Sequence, residues 1–382
     1  MSETINIPRE STMREILEAL KTIAIAQTLN TVAISDFESI RNLVRKGYGP
    51  DAFPVGSQIQ VEHQTYGTLY WDVVAHDYDT EYSGKFPHSM TLLTHDCPIN
   101  SAQFDATESL YYCETELAAG TYHFTLLANY DVNYGGGKTI QFTLTKSVPA
   151  GGVIMFPWAY QKQSTETKIS TYATRESTTV IESVSVTEGT GGADLGTADG
   201  NTTNMNHTHR IRYGSNNWKE SAIRQALNSD KAKGTFWTPQ TKFDRPPTWN
   251  SSLDGFMLGL PAEFLAICAE VDHVTKTNGI YEVSDNLNSQ YTTRDKFWLP
   301  SHSEIFGGSE NGVADGTQYP FYKNAANVDR IKRNSSGAAR YWFLRSPYPW
   351  NAHNVRGVDT DGALNNYSAG NAVAEAVACS IF

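Results

Sequence analysis

From residue 54 onward the sequence is a succession of short apolar runs separated by Gly, Pro, Asn and Asp. This pattern is typical of β-strands joined by tight turns. In the first part of this region we predict strands over residues 58–62, 69–75, 90–94, 110–113, 122–127 and 140–144. Since the runs recur roughly every ten to twenty residues, they favour a β-sandwich or jelly-roll-like domain over residues 51–150.

The composition supports a β-rich protein and excludes several classes of function. Charged residues make up only 19% of the chain and aromatic residues 12%, which argues against disorder. The net charge is −11 and there is no basic run, so nucleic acid is not an expected partner. No apolar stretch approaches the ~20 residues of a membrane span. The first residues lack the basic-then-apolar order of a secretion signal.

Residues 1–50 form the most helical part of the sequence. Thr12 and Glu15 form a capping box, and apolar residues follow them at helical spacing. A second, short helix is predicted from Ser35 to its stop at Gly47. The apolar stripe must be buried, either against the rest of the chain or against a partner in an oligomerisation or anchor segment.

Residues 151–204 are predicted to connect two parts of the protein. We expect one or two strands over residues 178–186 and a flexible linker over residues 189–200. Beyond the connector, residues 216–228 and 259–271 have the spacing of helices. Two helices among short aromatic strands indicate an α+β domain.

The last forty residues combine buried strands with polar loops. Residues 341–344 are wholly apolar and predict a central strand, with further strands near residues 355–358 and 376–382. Arg345 is expected to hold the base of the following loop. Rings and polar groups that packing does not require lie between these strands, and we predict that they bind a ligand. They are Tyr348, Trp350, Asn351, His353, Asn354, Arg356, Asp359, Asn365, Asn366, Tyr367 and Asn371. The alternative is an ordinary polar loop rich in turn-forming residues.

Two strings in this block carry a family resemblance. YWFLRSP (residues 341–347) and VRGVDTDGALNNYSAGNAVAEAVACSIF (residues 355–382) resemble the end of C-type-lectin-like domains from gut bacteria and phages. Some of those domains belong to variable proteins that retroelements diversify. Further segments that are similar to the family precede these strings, and they occur in the same order as in the family. They lie over residues 213–230, 237–247, 296–308 and 319–324. The forepart, at residues 53–61 and 117–126, also resembles such gut-phage proteins.

The resemblance implies a C-type lectin fold over residues 205–382, with an exposed ligand-binding face near the C-terminus. In diversified members, adenine substitution makes variable sites pass through Asn codons. Residue types that such codons reach occur at Tyr348, Asn351, His353, Asn354, Asp359, Asn365, Asn366, Tyr367, Ala369 and Asn371. Trp350 does not fit that set. Family members often carry Arg-Pro before the last strand, where this chain has Glu375 and Ala376.

We expect no metal and no cofactor. The sequence contains neither the Glu-Pro-Asn nor the Trp-Asn-Asp tripeptide of calcium-dependent sugar-binding members. The Asp359-x-Asp361-Gly362 segment lacks the later bidentate Glu of a calcium loop, which favours a plain turn. His207 and His209 would share one side of an extended segment, where a threefold axis would give six nitrogen ligands. Two surface histidines are the favoured interpretation.

An enzyme is not expected. The C-type lectin fold that the resemblance implies also occurs in oxidases that modify sulfatases, but those enzymes need two cooperating cysteines near the active site. Cys268 and Cys379 are predicted to be small hydrophobic core residues instead. No Ser/His/Asp order, nucleophile elbow or Gly-rich phosphate loop is present in the sequence. Glu304 and Glu310 are too weak a pair to indicate acid–base catalysis.

The sequence therefore predicts an α+β display protein of a phage, or derived from one. Its parts are a helical oligomerisation or anchor segment (residues 1–50), a β-sandwich spacer (51–150), a connector (151–204) and a C-type lectin-like head (205–382). We expect the head to bind a host-surface protein or glycan, and the N-terminal helices to contact other virion proteins. A trimer would raise the effective concentration of weak sites. A head-fibre or decoration protein without a ligand, and a bacterial surface adhesin, remain open.

Overall fold

The computed structural model describes most of the chain. The described residues are 36–125, 139–155, 167–169, 171–174, 184–197, 210, 213–276, 290–309, 315–349 and 352–382. Within them the α-helices are α1 (Phe37–Arg45), α2 (Gly49–Ala52), α3 (Ala222–Leu227), α4 (Ala262–Ile267) and α5 (His302–Phe306). Short 3₁₀ helices span Phe256–Gly259, Pro320–Tyr322 and Asn327–Arg330. None of the helices in this part of the chain has the length and apolar character of a membrane span.

Strands dominate the same described residues. The first twelve are β1 (Gln58–His63), β2 (Gly67–His76), β3 (Met90–Thr94), β4 (Ile99–Gln103), β5 (Ser109–Tyr112), β6 (Gly120–Thr125), β7 (Thr139–Leu144), β8 (Gly152–Met155), β9 (Thr167–Ile169), β10 (Thr171–Thr174), β11 (Val184–Glu188) and β12 (Ala193–Thr197). The rest are β13 (Val271–Lys276), β14 (Gln290–Asp295), β15 (Lys332–Arg333), β16 (Ala339–Arg340), β17 (Trp342–Pro347), β18 (Asn354–Val358), β19 (Leu364–Ser368), β20 (Ala372–Glu375) and β21 (Ala378–Ile381). The predicted mixed α+β class is confirmed.

Helix α1 is the second predicted N-terminal helix. Asp36 caps it by accepting a hydrogen bond from the backbone N–H of Ser39 (3.1 Å), and Gly47 follows its end with a φ of 76°. Its apolar face is buried, and the Phe37 ring lies 5.3 Å from that of Phe264. This face therefore packs onto the chain itself, which corrects the anchor prediction for residues 36–50. The first predicted helix lies outside the described residues.

Two sheets pair strands from the first part of the chain with strands from its last part. We call the part of the protein that these two sheets and their shared hydrophobic core form the main body. One has the strand order β1-β2-β3-β21, and the other has the order β19-β18-β17-β20-β4. In the first, Leu93 of β3 pairs with Ala378 of β21. In the second, Ala102 of β4 pairs with Val373 of β20. The predicted division into a β-sandwich over residues 51–150 and a separate domain over residues 205–382 is therefore wrong, because strands from both ranges share sheets and one hydrophobic core.

Strands β5 to β12 form an insert in this body. They make two sheets of their own, ordered β10-β8-β5 and β12-β6-β7-β11-β9. The backbone N–H of Glu108 donates to the carbonyl oxygen of Arg210 (3.0 Å), and the two side chains form an ion pair at 3.0 Å. The chain thus leaves the body and re-enters it at one place. Strand β12 occupies part of the predicted flexible linker, which corrects that expectation.

The helices of the second half are shorter than predicted. Over residues 216–228 only α3 is helical, and Ser221 caps it through a hydrogen bond to the backbone N–H of Arg224 (3.3 Å). Over residues 259–271 a 3₁₀ turn is followed by α4, whose N-cap is Pro261. The β13 strand then begins at Val271, because that segment pairs with β14.

Candidate functional site

Most of the predicted binding residues that the structure describes lie at one edge of the sheet with the order β19-β18-β17-β20-β4. Strand β17 is buried along its whole length and is central in that sheet, as predicted. Strand β18 lies beside it, and β19 forms the outer edge. A tight turn joins β18 to β19. Gly362 in this turn has a φ of 82°, a conformation that glycine adopts without strain. The candidate site is therefore an edge hairpin supported by a buried strand.

Arg345 fixes the base of this hairpin. Its guanidinium makes two hydrogen bonds to the Glu304 carboxylate, at 2.7 and 2.6 Å. It also donates to the carbonyl oxygens of Leu299 (3.1 Å) and Asp315 (2.7 Å). Both charged side chains are almost fully buried, with 1% of Arg345 and 5% of Glu304 exposed. Arg345 therefore holds the loop base, as expected, and ties β17 to α5 and to the loop at residue 315.

Strand register divides the predicted residues between the two faces of the hairpin. Val355 pairs with Tyr367, and Arg356 pairs with Asn366. Because successive side chains of a strand point to opposite faces, these two pairs lie on opposite sides of the sheet. The predicted residues thus form two clusters and not one continuous surface.

The first cluster consists of Tyr341, Asp359, Asn365 and Tyr367, and we call it the Tyr341 cluster. The rings of Tyr341 and Tyr367 meet edge to face, with centroids 4.8 Å apart. The side-chain amide of Asn365 donates to Asp359 Oδ2 (2.9 Å) and to the Tyr367 hydroxyl oxygen (3.3 Å). Tyr341 is 40% exposed, so the cluster faces solvent. This geometry orders both rings and amide before any ligand arrives.

Electrostatics in the Tyr341 cluster favour one charge state. Partial burial alone would raise the pKa of Asp359, but hydrogen bonds from Asn365 and Thr360 outweigh it and hold this pKa below its ordinary value. Burial, and then the charge of Asp359, raise the pKa of Tyr367. At neutral pH the cluster therefore presents the Asp359 carboxylate beside the protonated hydroxyl of Tyr367.

The second cluster lies on the other face of the hairpin. The Arg356 guanidinium carbon lies 4.7 Å from the centroid of the Tyr348 ring, which is a cation–π distance. Asn354 and Asn366 share this face and are partly exposed, as are Arg356 and Tyr348. The cluster therefore offers a cation, a ring and amides.

Four predicted residues lie elsewhere or outside the described residues. His353 is only 5% exposed and stacks on Tyr213 at 4.6 Å, so its placement on a binding surface is wrong. Its burial results from the packing of the Tyr213 segment over β18. Asn371 is exposed in the turn between β19 and β20. Trp350 and Asn351 lie outside the described residues, as do His207 and His209.

Tyr341 is a surface residue that the sequence prediction missed. The sequence predicts a buried apolar run over residues 341–344, yet β17 begins only at Trp342. Tyr341 is exposed because it lies one residue before the strand, outside the stretch that is buried on both faces of the sheet. A signal was present, since Tyr341 carries a hydroxyl group and stands at the end of that run.

All four cysteines are buried, as predicted for Cys268 and Cys379. Cys97, Cys113, Cys268 and Cys379 are free thiols. The structure brings Cys268 and Cys379 into side-chain contact, which their separation in sequence did not indicate. Burial, together with the neighbouring Cys268, raises the pKa of the Cys379 thiol well above its ordinary value. A thiol in this environment is a poor nucleophile.

Across the described residues, no group of three or more His, Cys, Asp or Glu side chains is placed to hold a metal ion. At the Asp359–Gly362 segment the backbone N–H of Gly362 donates to the carbonyl oxygen of Asp359 (2.9 Å), which closes the predicted turn.

Glu375 is an unusual buried acid on β20, at the position where the resembling family often carries Arg-Pro. Neither carboxylate oxygen has a hydrogen-bond partner among the described residues, and burial raises the pKa of Glu375 well above its ordinary 4.5. The folded protein therefore binds this proton more tightly than the unfolded chain. The resulting stability is complete below pH 4.5 and is lost as the pH rises towards the folded-state pKa.

Replacing Glu375 with glutamine is expected to stabilise the protein at neutral pH. The neutral amide removes the cost of a buried charge, so the free energy of unfolding at pH 7 should rise by about 1–3 kcal/mol. Urea unfolding at pH 5 and pH 8 measures the effect, which should be larger at pH 8. Glu116→Gln, at an exposed position, is the matched control. An equal gain at both pH values would contradict the assignment.

Comparison with known protein families finds one family whose model matches the part of the chain that contains the β18–β19 hairpin. Residues 176–380 match the profile of DUF6273, a domain of unknown function. The match covers more than half of the chain. This chain belongs to the DUF6273 family. No curated protein and no solved structure matches the sequence.

The DUF6273 region contains β17 to β20 and both clusters, but it does not contain all of their sheets. Strands β1 to β4 precede the matched residues and supply sheet partners to β20 and β21. In this DUF6273 protein the family region is therefore completed by the N-terminal part of the chain.

Proposed function

We propose that this DUF6273 protein is a receptor-binding or display protein with a C-type-lectin-like head, and that its edge hairpin β18–β19 binds a ligand on a host surface. The Tyr341 cluster carries this proposal. Two tyrosine rings, an amide and a carboxylate are held together at a sheet edge, where the Tyr341 side chain is exposed and Tyr367 is only partly buried. Such residues are the types that binding surfaces favour.

The order of the cluster supports binding because it lowers the entropic cost of association. Asp359, Asn365 and Tyr367 already hydrogen-bond to each other, so few rotamers are lost when a ligand arrives. The buried Arg345–Glu304 pair fixes the strand beneath. Tyrosine rings would supply contact area, and the amide and carboxylate would set hydrogen-bond specificity.

The wider context follows from the resemblance. The ligand is a host-surface protein or glycan, and the protein acts on a virion or, alternatively, on a bacterial surface. The hairpin positions that Asn codons reach are those that a retroelement would diversify. A trimer would strengthen weak single-site binding by raising effective concentration. Light scattering at micromolar concentration tests the trimer, and a monomer would remove that part of the proposal.

Removing both rings of the Tyr341 cluster is expected to abolish attachment. The Tyr341→Ala/Tyr367→Ala protein should lose at least about tenfold in apparent affinity, since aromatic anchors often carry 2 kcal/mol or more each. Flow cytometry of fluorescently labelled full-length protein on a panel of cultured gut bacteria measures this.

Tyr78→Ala/Tyr82→Ala provides the control, because both of these tyrosines are exposed and lie outside the hairpin. The proposal fails if wild-type protein labels no strain, or if the hairpin variant labels cells as strongly as wild type does.

A further inference from the structure

A groove of about 700 Å³ lies on another part of the surface. Strand β2, the β3–β4 connection and the turn at residues 334–337 form its walls. It shares no lining residue with the Tyr341 cluster or with the second hairpin cluster. Its volume falls in the range of about 300–1,000 Å³ that is typical of small-molecule sites.

The lining of the groove combines buried apolar residues with two tyrosines. Leu69 and Ile99 are its buried apolar members. The Tyr66 ring is fixed, since its centroid lies 4.5 Å from that of the His63 ring and 6.2 Å from that of Phe256. Tyr70 is 44% exposed, so its ring is available to a ligand. The groove therefore combines a rigid ring with an accessible one.

Hydrogen bonds fix the orientation of His95 on the rim. Its Nδ1 lies 2.9 Å from Asp72 Oδ2, and Gln58 Nε2 donates to the other oxygen of the same carboxylate at 2.9 Å. The hydrogen bond to Asp72, opposed by partial burial, raises the pKa of His95. These contacts use Nδ1, and the His95 side chain as a whole is half exposed.

The backbone beside His95 is also fixed. Lys332 is buried, and its ammonium donates to the carbonyl oxygens of Thr94 and His95. On the opposite wall, the side-chain oxygen of Asn334 accepts hydrogen bonds from Ser336 and from the backbone N–H of Ala338 (3.0 Å). Because the side-chain oxygen of Asn334 is used in this way, its amide NH₂ is the group that can donate a hydrogen bond to a ligand.

We propose that this groove binds a neutral oligosaccharide. A sugar ring has an apolar C–H face that packs on tyrosine rings and a rim of hydroxyls that pair with amides, imidazole and carboxylate. The groove lining described here contains no Lys or Arg side chain and does contain Asp96, which disfavours a phosphate or sulfate. A lining of apolar residues and rings with a few oriented polar groups is the usual form of such a site.

The test uses the full chain and three neutral trisaccharides: maltotriose, cellotriose and chitotriose. Titration followed by two-dimensional NMR is expected to show saturable binding of at least one of them with a millimolar or lower Kd. Tyr70→Ala should weaken that binding at least about fivefold, whereas Tyr70→Phe, which keeps the ring, should stay within about twofold of wild type. Tyr82→Ala is the exposed control and should not change it.

The outcomes separate this site from the hairpin. Tyr341→Ala/Tyr367→Ala should leave trisaccharide binding unchanged, whatever it does to cell attachment. The inference is overturned if none of the three sugars shifts groove resonances at about 10 mM. It is also overturned if Tyr70→Ala binds as tightly as wild type.

Discussion

Replacing Arg345 with methionine should lower the free energy of unfolding by about 3–5 kcal/mol. The substitution leaves the Glu304 carboxylate buried without its bidentate partner, and it also releases the carbonyl oxygens of Leu299 and Asp315. Urea unfolding followed by tryptophan fluorescence measures the loss. Arg345→Lys should also destabilise, because an ammonium cannot reproduce the two parallel hydrogen bonds.

Arg294→Met is the matched control for this prediction. Arg294 also pairs with a carboxylate through two nitrogens, at 2.8 and 3.2 Å from Asp272, but both side chains of that pair are exposed. Its loss should lower the free energy of unfolding far less than the loss of Arg345 does, because water screens an exposed pair. A Glu304→Gln/Arg345→Met protein should lose less than the sum of the two single variants. Equal effects at Arg345 and Arg294 would show that burial does not determine the strength of the pair.

The second large effect is the loss of folding that we expect when the chain is divided between its first and last strands. A fragment of residues 205–382 should be unfolded, since it lacks β1 to β4, which leaves β21 without its sheet partner and β20 with β17 alone. By contrast, replacing residues 109–209 with a short Gly-Ser linker should leave the body folded, because Glu108 and Arg210 are already in contact. Far-UV circular dichroism and the dispersion of NMR amide signals distinguish the two proteins.

Either reversal would contradict this architecture. If the 205–382 fragment gave a dispersed spectrum, the shared sheets would not be needed for folding. If the variant without the insert were unfolded, the insert would contribute to the core of the body. Its own buried residues, among them Phe142, Leu144 and Ile154, lie outside the main core cluster, which is why we expect the body to survive.

Local patterns in the sequence predicted elements well and their pairing poorly. The strand predicted over residues 90–94 has the observed bounds, and the predicted strand at 341–344 is central as expected. Pairing of β3 with β21 left no local trace, because it joins segments almost 300 residues apart in sequence. The β12 strand was missed for another reason. It pairs through backbone groups, and its glycine-rich sequence resembles a linker.

The candidate site was predictable in its location and not in its arrangement. Composition alone indicated that rings and amides gather near the C-terminus. Their division into two clusters depends on the register of β18 with β19, which the sequence does not encode in any short motif. The groove was beyond sequence reasoning, since its walls come from residues near 66–70, 95–100 and 334–337.

The pairing of β3 and β4 with the last two strands also determines when the protein can fold during synthesis. At about 5–20 residues per second, the ribosome needs roughly 15–55 s to pass from β4 to the end of β21. During that interval β1, β2 and β3 can pair with one another, but β3 lacks β21 and β4 lacks β20, so the edge of β3 and the whole of β4 are open to aggregation. The insert is translated after β4 and can fold within the same interval. We therefore expect nascent chains to engage holdase chaperones through β3 and β4 until translation ends.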